Sequence, residues 1–189
     1  PNALDQSSWI LVGPQIPHPS LPPCPPPVGC DPTTTGAFTA GDPAVADLGL
    51  AFLTRSAGVK PGKPASPGRL EKKLAASVPM TTVGYGHPTA DPGGGPPLIS
   101  NWDGLRKYRT SGLAQILNEQ WGAWELPSSV CFGDSGASTF LDRLPDVSEN
   151  RETVVAVASD GGIDCLSKDI RVRVDTHAVH QWIRDTVKQ

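Results

Sequence analysis

Short apolar or alternating runs rich in β-branched residues recur along the chain between clusters of glycine and proline. Ser8–Val12, Leu48–Thr54, Met80–Tyr85, Lys107–Leu117, Thr139–Leu141, Thr153–Ser159 and Ile170–Val174 have the length and residue types of strands. Only Thr176–Lys188 shows helical periodicity: Val179, Trp182, Ile183 and Val187 fall on one face, and Asp175 or Thr176 is placed to cap its N-terminus. Many strands at short spacing with one terminal helix predict an all-β barrel or sandwich. No repeat at a fixed period is present.

Composition sharpens that pattern. Gly and Pro together make 41 of the 189 residues, well above ordinary usage, so the backbone is rich in turns and simple helical bundles are excluded. Nineteen of the 21 prolines lie in residues 1–100. Proline has no N–H and a fixed φ, so Pro14–Pro32 cannot supply central strands and is expected to be an irregular surface loop. Ala57–Gly68, with three prolines and three glycines, has the composition of a linker, and His87–Pro97 is a second breaker. The net charge of −3 carries no basic excess, which argues against a nucleic-acid partner. No apolar run is long enough to span a membrane, and no charged-then-apolar stretch at the start reads as a signal peptide. A chain that starts at Pro1 rather than Met is expected to be a processed product or a fragment.

The four cysteines allow three disulfide pairings, and spacing alone does not choose among them. A local Cys24–Cys30 bridge would staple the proline-rich loop. Neither Cys131 nor Cys165 belongs to a Cys-x-x-Cys or Cys/His cluster, so disulfides are preferred to zinc and no metal is expected. Disulfides in turn place the protein in an oxidising compartment, secreted or periplasmic.

The most informative segment is Cys131-Phe132-Gly133-Asp134-Ser135-Gly136-Ala137-Ser138. Two glycines around Asp-Ser allow a tight turn that lifts a hydroxyl into solvent and aims consecutive N–H groups at one point, as acyl transfer requires. This segment resembles the nucleophile loop of trypsin/chymotrypsin-like serine proteases, which also provide the general template for Ser-His-Asp catalysis. Further stretches match in the family's order. Asp47–Leu53 looks like the strand whose aspartate orients the catalytic histidine, and His18-Pro19 like the His-Pro upstream of it. Val83–Gly86 resembles the Gly-Trp-Gly that opens the second barrel, and Val155–Gly161 the strand that lines the substrate cleft. Val172–Asp175 followed by Trp182-Ile183 is similar to the strand that leads into the terminal helix.

The resemblance implies two packed antiparallel Greek-key barrels with a C-terminal helix, the first barrel incomplete. Residues 1–68 would be the remnant of that barrel with the proline-rich loop and linker, and residues 69–189 the second barrel. It implies Ser135 as nucleophile, the N–H groups of Gly133 and Ser135 as oxyanion hole, and Asp47, rather than nearby Asp42, as the residue that orients the base. Ser129 would form the floor of the specificity pocket and Ser159, Asp160 and Gly161 its walls. A neutral floor leans towards a chymotrypsin-like or unselective pocket, whereas Asp160 could bias it towards basic substrates. Cys131 would pair with Cys165, leaving Cys24 with Cys30. The implied protein is a secreted monomeric endopeptidase without a cofactor, acting on proteins or peptides and open to protease inhibitors. Ala137 stands where the family has glycine, which crowds a tight position.

One part is missing. A serine hydroxyl needs a base, and the family carries it in a Thr-Ala-Ala-His-Cys stretch before the aspartate. None of His18, His87, His177 and His180 matches that position, and only 46 residues precede Asp47. The expectation is a fragment cut after the histidine, near-inactive as it stands and without the free N-terminus that pairs with the Asp134 equivalent. Two alternatives belong to other classes: an inactive protease-like binding module, and a serine esterase that draws Asp160 or Asp164 with His177 or His180, two helix positions otherwise expected to be solvated.

Overall fold

The computed structural model describes residues 5, 7, 9–21, 40–72, 79–87, 102–124, 130–141, 153–162 and 165–188. Ten strands and one helix follow in chain order: β1 Val12–Pro17, β2 Gly49–Leu53, β3 Lys63–Pro64, β4 Met80–Gly84, β5 Lys107–Ser111, β6 Leu113–Ile116, β7 Trp121–Trp124, β8 Ser138–Leu141, β9 Thr153–Asp160, β10 Asp169–Arg173 and α1 His177–Val187. The eight strands from β3 onward form one curled sheet in the order β5-β4-β8-β9-β10-β7-β6, with β3 beside β9. Strands β1 and β2 form a separate antiparallel pair. The path from β4 to β8 to β9 to β10 and back to β7 makes β8 an antiparallel neighbour of both β4 and β9, which brings the segment before β8 to the mouth of the sheet.

Inside the curl the core is mixed. Met80, Leu113, Trp124, Leu141 and Val155 supply apolar volume. Alongside them lie fully buried charges, because β10 reads Asp169-Ile170-Arg171-Val172-Arg173 and its alternate positions face inward. Charges survive burial there only because each is paired. Arg173 bonds Asp175 and Glu71. Burial alone would depress its pKa, but the bonds from Asp175 and Glu71 outweigh that and hold it above the ordinary arginine value. The second core lies on the other face of β10, where Ala46, Leu48, Trp121, Val172, Val174 and Val179 pack together. The segment that carries Asp47 is thereby docked onto the large sheet and α1.

Several expectations need correction. Pro14 and Pro17 are not in an irregular loop: they lie in β1, where Gln15, Ile16 and Pro17 face Ala51, Leu50 and Gly49. A two-stranded pair has free edges, so residues without an N–H fit there. The strand expected at Ser8–Val12 begins only at Val12. Lys107–Leu117 is two strands broken at Gly112. Within the expected linker, Lys63-Pro64 pairs in parallel with Thr153-Val154. Trp121–Trp124 is a strand that no alternation announced, since all four residues are buried. In α1 the inward face is Val179, Trp182, Ile183 and Thr186, whereas Val187 is 59% exposed. Thr176 caps the helix by accepting from Val179 N–H. His180 is not solvated, because its Nε2 meets the Ala65 carbonyl at 2.6 Å. No described helix is long and apolar enough to cross a membrane.

Candidate active site

The loop Cys131–Ala137 enters β8 through two turns, with Gly133 and Gly136 both at φ +87°, a conformation that strains any side chain. Hydrogen bonds fix its shape: Asp134 N–H to the Cys131 carbonyl, Ala137 N–H to the Asp134 carbonyl, and Gly136 N–H to the Ala158 carbonyl of β9. The Asp134 carboxylate works as a clamp. Its Oδ2 accepts from Cys131 N–H at 3.0 Å and its Oδ1 from Gly86 N–H at 2.8 Å, so the loop is tied to the end of β4. The result leaves Ser135 exposed at the tip. Among the described residues, Ser135 Oγ makes no hydrogen bond, and neither Gly133 N–H nor Ser135 N–H has a protein acceptor. A hydroxyl and two N–H groups without a described acceptor thus share one turn.

The Cys131–Cys165 disulfide joins the start of this loop to the segment before β10. Between them opens a cavity of about 150 Å3, lined by Val130, Phe132, Ser135, Ala158, Ser159 and Gly161 among others. Ser159, Asp160 and Gly161 are therefore wall residues of a pocket beside Ser135. Asp160 is exposed, and its Oδ1 accepts from Gly161 N–H. Ser129, Asp164, and both Cys24 and Cys30 lie outside the described residues.

Asp47 bonds a wall residue of this pocket from a distant part of the chain. Its neighbours Ala46 and Leu48 are buried in the core shared with Trp121 and α1. Trp121 Nε1–H donates to the carbonyls of Asp42 and Val45. Half-buried Asp47 then accepts from Ser159 Oγ–H at 2.7 Å, across 112 residues of sequence. Asp42, the competing carboxylate, instead accepts from Ala44 N–H in its own turn.

No imidazole bonds either group. Ser20 Oγ accepts from Ala46 N–H and sits 2.8 Å from His18 Nδ1, a nitrogen that also accepts from Ser20 N–H at 3.3 Å. His18 packs edge-on against Trp182, and burial holds its pKa below the ordinary histidine value. His87 N–H donates to the Phe132 carbonyl, while Nδ1 is buried without a partner. His177 is exposed on α1, and His180 is bound to Ala65. The arrangement contains a serine at a pocket and an aspartate bonded to that pocket's wall, with no imidazole bonded to either.

Two features escaped the sequence reading. The Asp134 clamp and the Ser159–Asp47 bond depend on chain segments meeting in space, and spacing carries no signal for either. The buried Asp169–Arg171 pair does carry one: charges at alternate positions of an otherwise apolar strand mark a face with internal ion pairs.

No family model matches the chain, and no curated protein matches it in sequence. Solved structures do. A double mutant of human heparin binding protein (CAP37) is 14% identical with a TM-score of 0.55, over 76% of this chain and 58% of that one. A scabies mite inactivated protease paralogue is 19% identical with a TM-score of 0.51, over 76% and 61%. The structure of GrC is 17% identical with a TM-score of 0.60, over 95% and 70%. The fold is that of trypsin-like serine proteases. The chain spans less than two thirds of the first two of these structures.

Proposed function

We propose that the chain is the nucleophile-bearing part of a secreted serine endopeptidase, with Ser135 as nucleophile, the Gly133 and Ser135 N–H groups as oxyanion hole and Asp47 as the residue that orients the base. The observation that carries this reading is the Ser159–Asp47 hydrogen bond, which ties a carboxylate to a wall residue of the pocket that Ser135 also lines. The two vacant N–H donors support it. In the proposed reaction an imidazole supplied from outside these 189 residues takes the Ser135 proton as Oγ attacks a peptide carbonyl. The oxyanion is held by the two N–H groups, the leaving amine takes the proton, and water hydrolyses the acyl-enzyme. Asp47 fixes the tautomer of that imidazole. Substrates are proteins or peptides, and inhibitors that mimic them would compete for the same cleft. Residues 1–68 and 69–189 are proposed as the first-barrel portion and the second barrel.

A second reading, an inactive binding module, is favoured by one observation: no histidine of this chain bonds Asp47 or Ser135. A fluorophosphonate probe on the full-length protein separates the two. The peptidase reading expects labelling that Ser135→Ala abolishes and Asp47→Asn slows by about 10⁴-fold. A full-length protein that does not label, with its pocket intact, is the binding module.

A further inference from the structure

Behind the Ser135 pocket lies a second carboxylate that its lining conceals. A Cβ placed on Gly161 would meet Asp169 Cβ at 3.4 Å and Val130 Cγ2 at 3.7 Å, so Asp169 stands one carbon layer behind the pocket wall. It is fully buried. A bare carboxylate there would draw a cationic side chain into the pocket. This one is committed elsewhere: Arg171 Nε–H donates to Oδ1 at 2.5 Å and Nη2–H to Oδ2 at 2.8 Å, a bidentate pair with both partners buried.

Arg171 is itself fixed. Its Nη1 donates to Thr82 Oγ1 and Thr139 Oγ1, its remaining Nη2 proton reaches Ser111 Oγ at 3.4 Å, and the guanidinium lies 4.7 Å from the Trp124 ring centroid. All five N–H donors of the guanidinium have acceptors, so neither ion can turn towards the pocket without stranding the other. Among the described lining residues the carboxylates are Asp134 and Asp160, and both Asp134 oxygens are taken by the Gly86 and Cys131 N–H groups. Asp160 is at the exposed rim, where solvent screens it.

We propose that Arg171 is a specificity-determining positioning residue: by holding Asp169 inside the barrel it keeps the Ser135 pocket selective for uncharged side chains. This deepens the endopeptidase reading and rests on it for the word substrate, but its test needs no reaction. The pocket amides of Ala158–Gly162 in the full-length protein are followed by NMR during titration with cationic benzamidine and with its neutral isostere benzamide. The wild type is expected to favour benzamide, and Arg171→Met to raise the benzamidine-to-benzamide affinity ratio at least tenfold. The double variant Asp169→Asn/Arg171→Met is expected to return that ratio to within about twofold of wild type. If Arg171→Met does not fold, Asp169→Asn alone decides, because the cation left behind the wall should lower the ratio at least threefold. A wild type that prefers benzamidine, a ratio that these variants leave unchanged, or no shift at these amides with either probe overturns the proposal. Because the titration is blind to serine chemistry, its failure is distinct from a failure of fluorophosphonate labelling.

Discussion

The Asp134 clamp predicts a strong coupling between two residues 48 apart. The Asp134 carboxylate accepts from Gly86 N–H and Cys131 N–H at 2.8 and 3.0 Å. A bond to a charged acceptor contributes about 1.5–3 kcal/mol when buried. Asp134 is half-buried, so about 1 kcal/mol each, or about 2 kcal/mol for Asp134→Ala, is the reasonable expectation. Gly86→Ala attacks the same bonds from the other side. Gly86 does not have a positive φ, so backbone strain is absent, but the added Cβ would fall 2.5–2.7 Å from Cγ, Oδ1 and Oδ2 of Asp134. The carboxylate has to swing away, losing both N–H donors, for a cost of about 2–3 kcal/mol. In the double variant the clash has no target, so the two costs should not add: about 2 kcal/mol of coupling is expected in a double-mutant cycle measured by urea unfolding. Amide exchange at Gly136 and Ala137, whose N–H groups bond Ala158 and Asp134, should quicken in each single variant and no further in the double. Costs that add within about 0.5 kcal/mol would show that the carboxylate is not wedged between Gly86 and Cys131, and the account of the nucleophile turn would fall with it.

Stability should also drop in mild acid through His18. Its pKa lies below the unfolded value because of burial, so the unfolded chain takes up protons first as pH falls; the contribution is whole above about pH 6.5 and declines below it. His18→Phe should flatten the melting-temperature profile between about pH 7 and 5, and an unchanged slope would exonerate the imidazole. Reduction of Cys131–Cys165, which closes a loop of 34 residues, should cost roughly 3–4 kcal/mol on chain-entropy grounds, read as the shift in urea midpoint with reductant. Thr176→Ala removes the acceptor for Val179 N–H and should cost about 1 kcal/mol, measured the same way, with Thr176→Asn restoring most of it.

The legible part of the fold was the part where side chains alternate. Strands β4 and β8 follow β-branched runs with one face more buried than the other, and β9, buried on both faces, was visible from its β-branched residues alone, each within a residue or two. Trp121–Trp124 was invisible because burial on both faces erases the alternation, and its inner glycine reads as a breaker. Pro14 and Pro17 misled for the opposite reason: proline weighs against a strand on average, yet an edge pair tolerates it. At the site, the glycine-flanked serine was readable because the turn needs those residue types. The Asp47–Ser159 bond was not, since only the folded barrel brings those two strands together.

That bond also says which part of the molecule holds the aspartate. The β1–β2 pair is thin, with most of its side chains exposed, and by itself would give Asp47 little rigidity. The residues that do fix it belong to the large sheet and helix. Ala46 and Leu48 are buried on Trp121, Val172, Val174 and Val179, Trp121 Nε1–H holds two carbonyls of the preceding turn, and Ser159 holds the carboxylate itself. Fraying of β1 and β2 would therefore loosen residues on one side of Asp47 and leave the carboxylate in place. Asp47 and the Ser135 turn are both tied to the large sheet, through Ser159 and Ala158 of β9. Under the peptidase proposal, a base that reaches Asp47 would meet a carboxylate already held by Ser159.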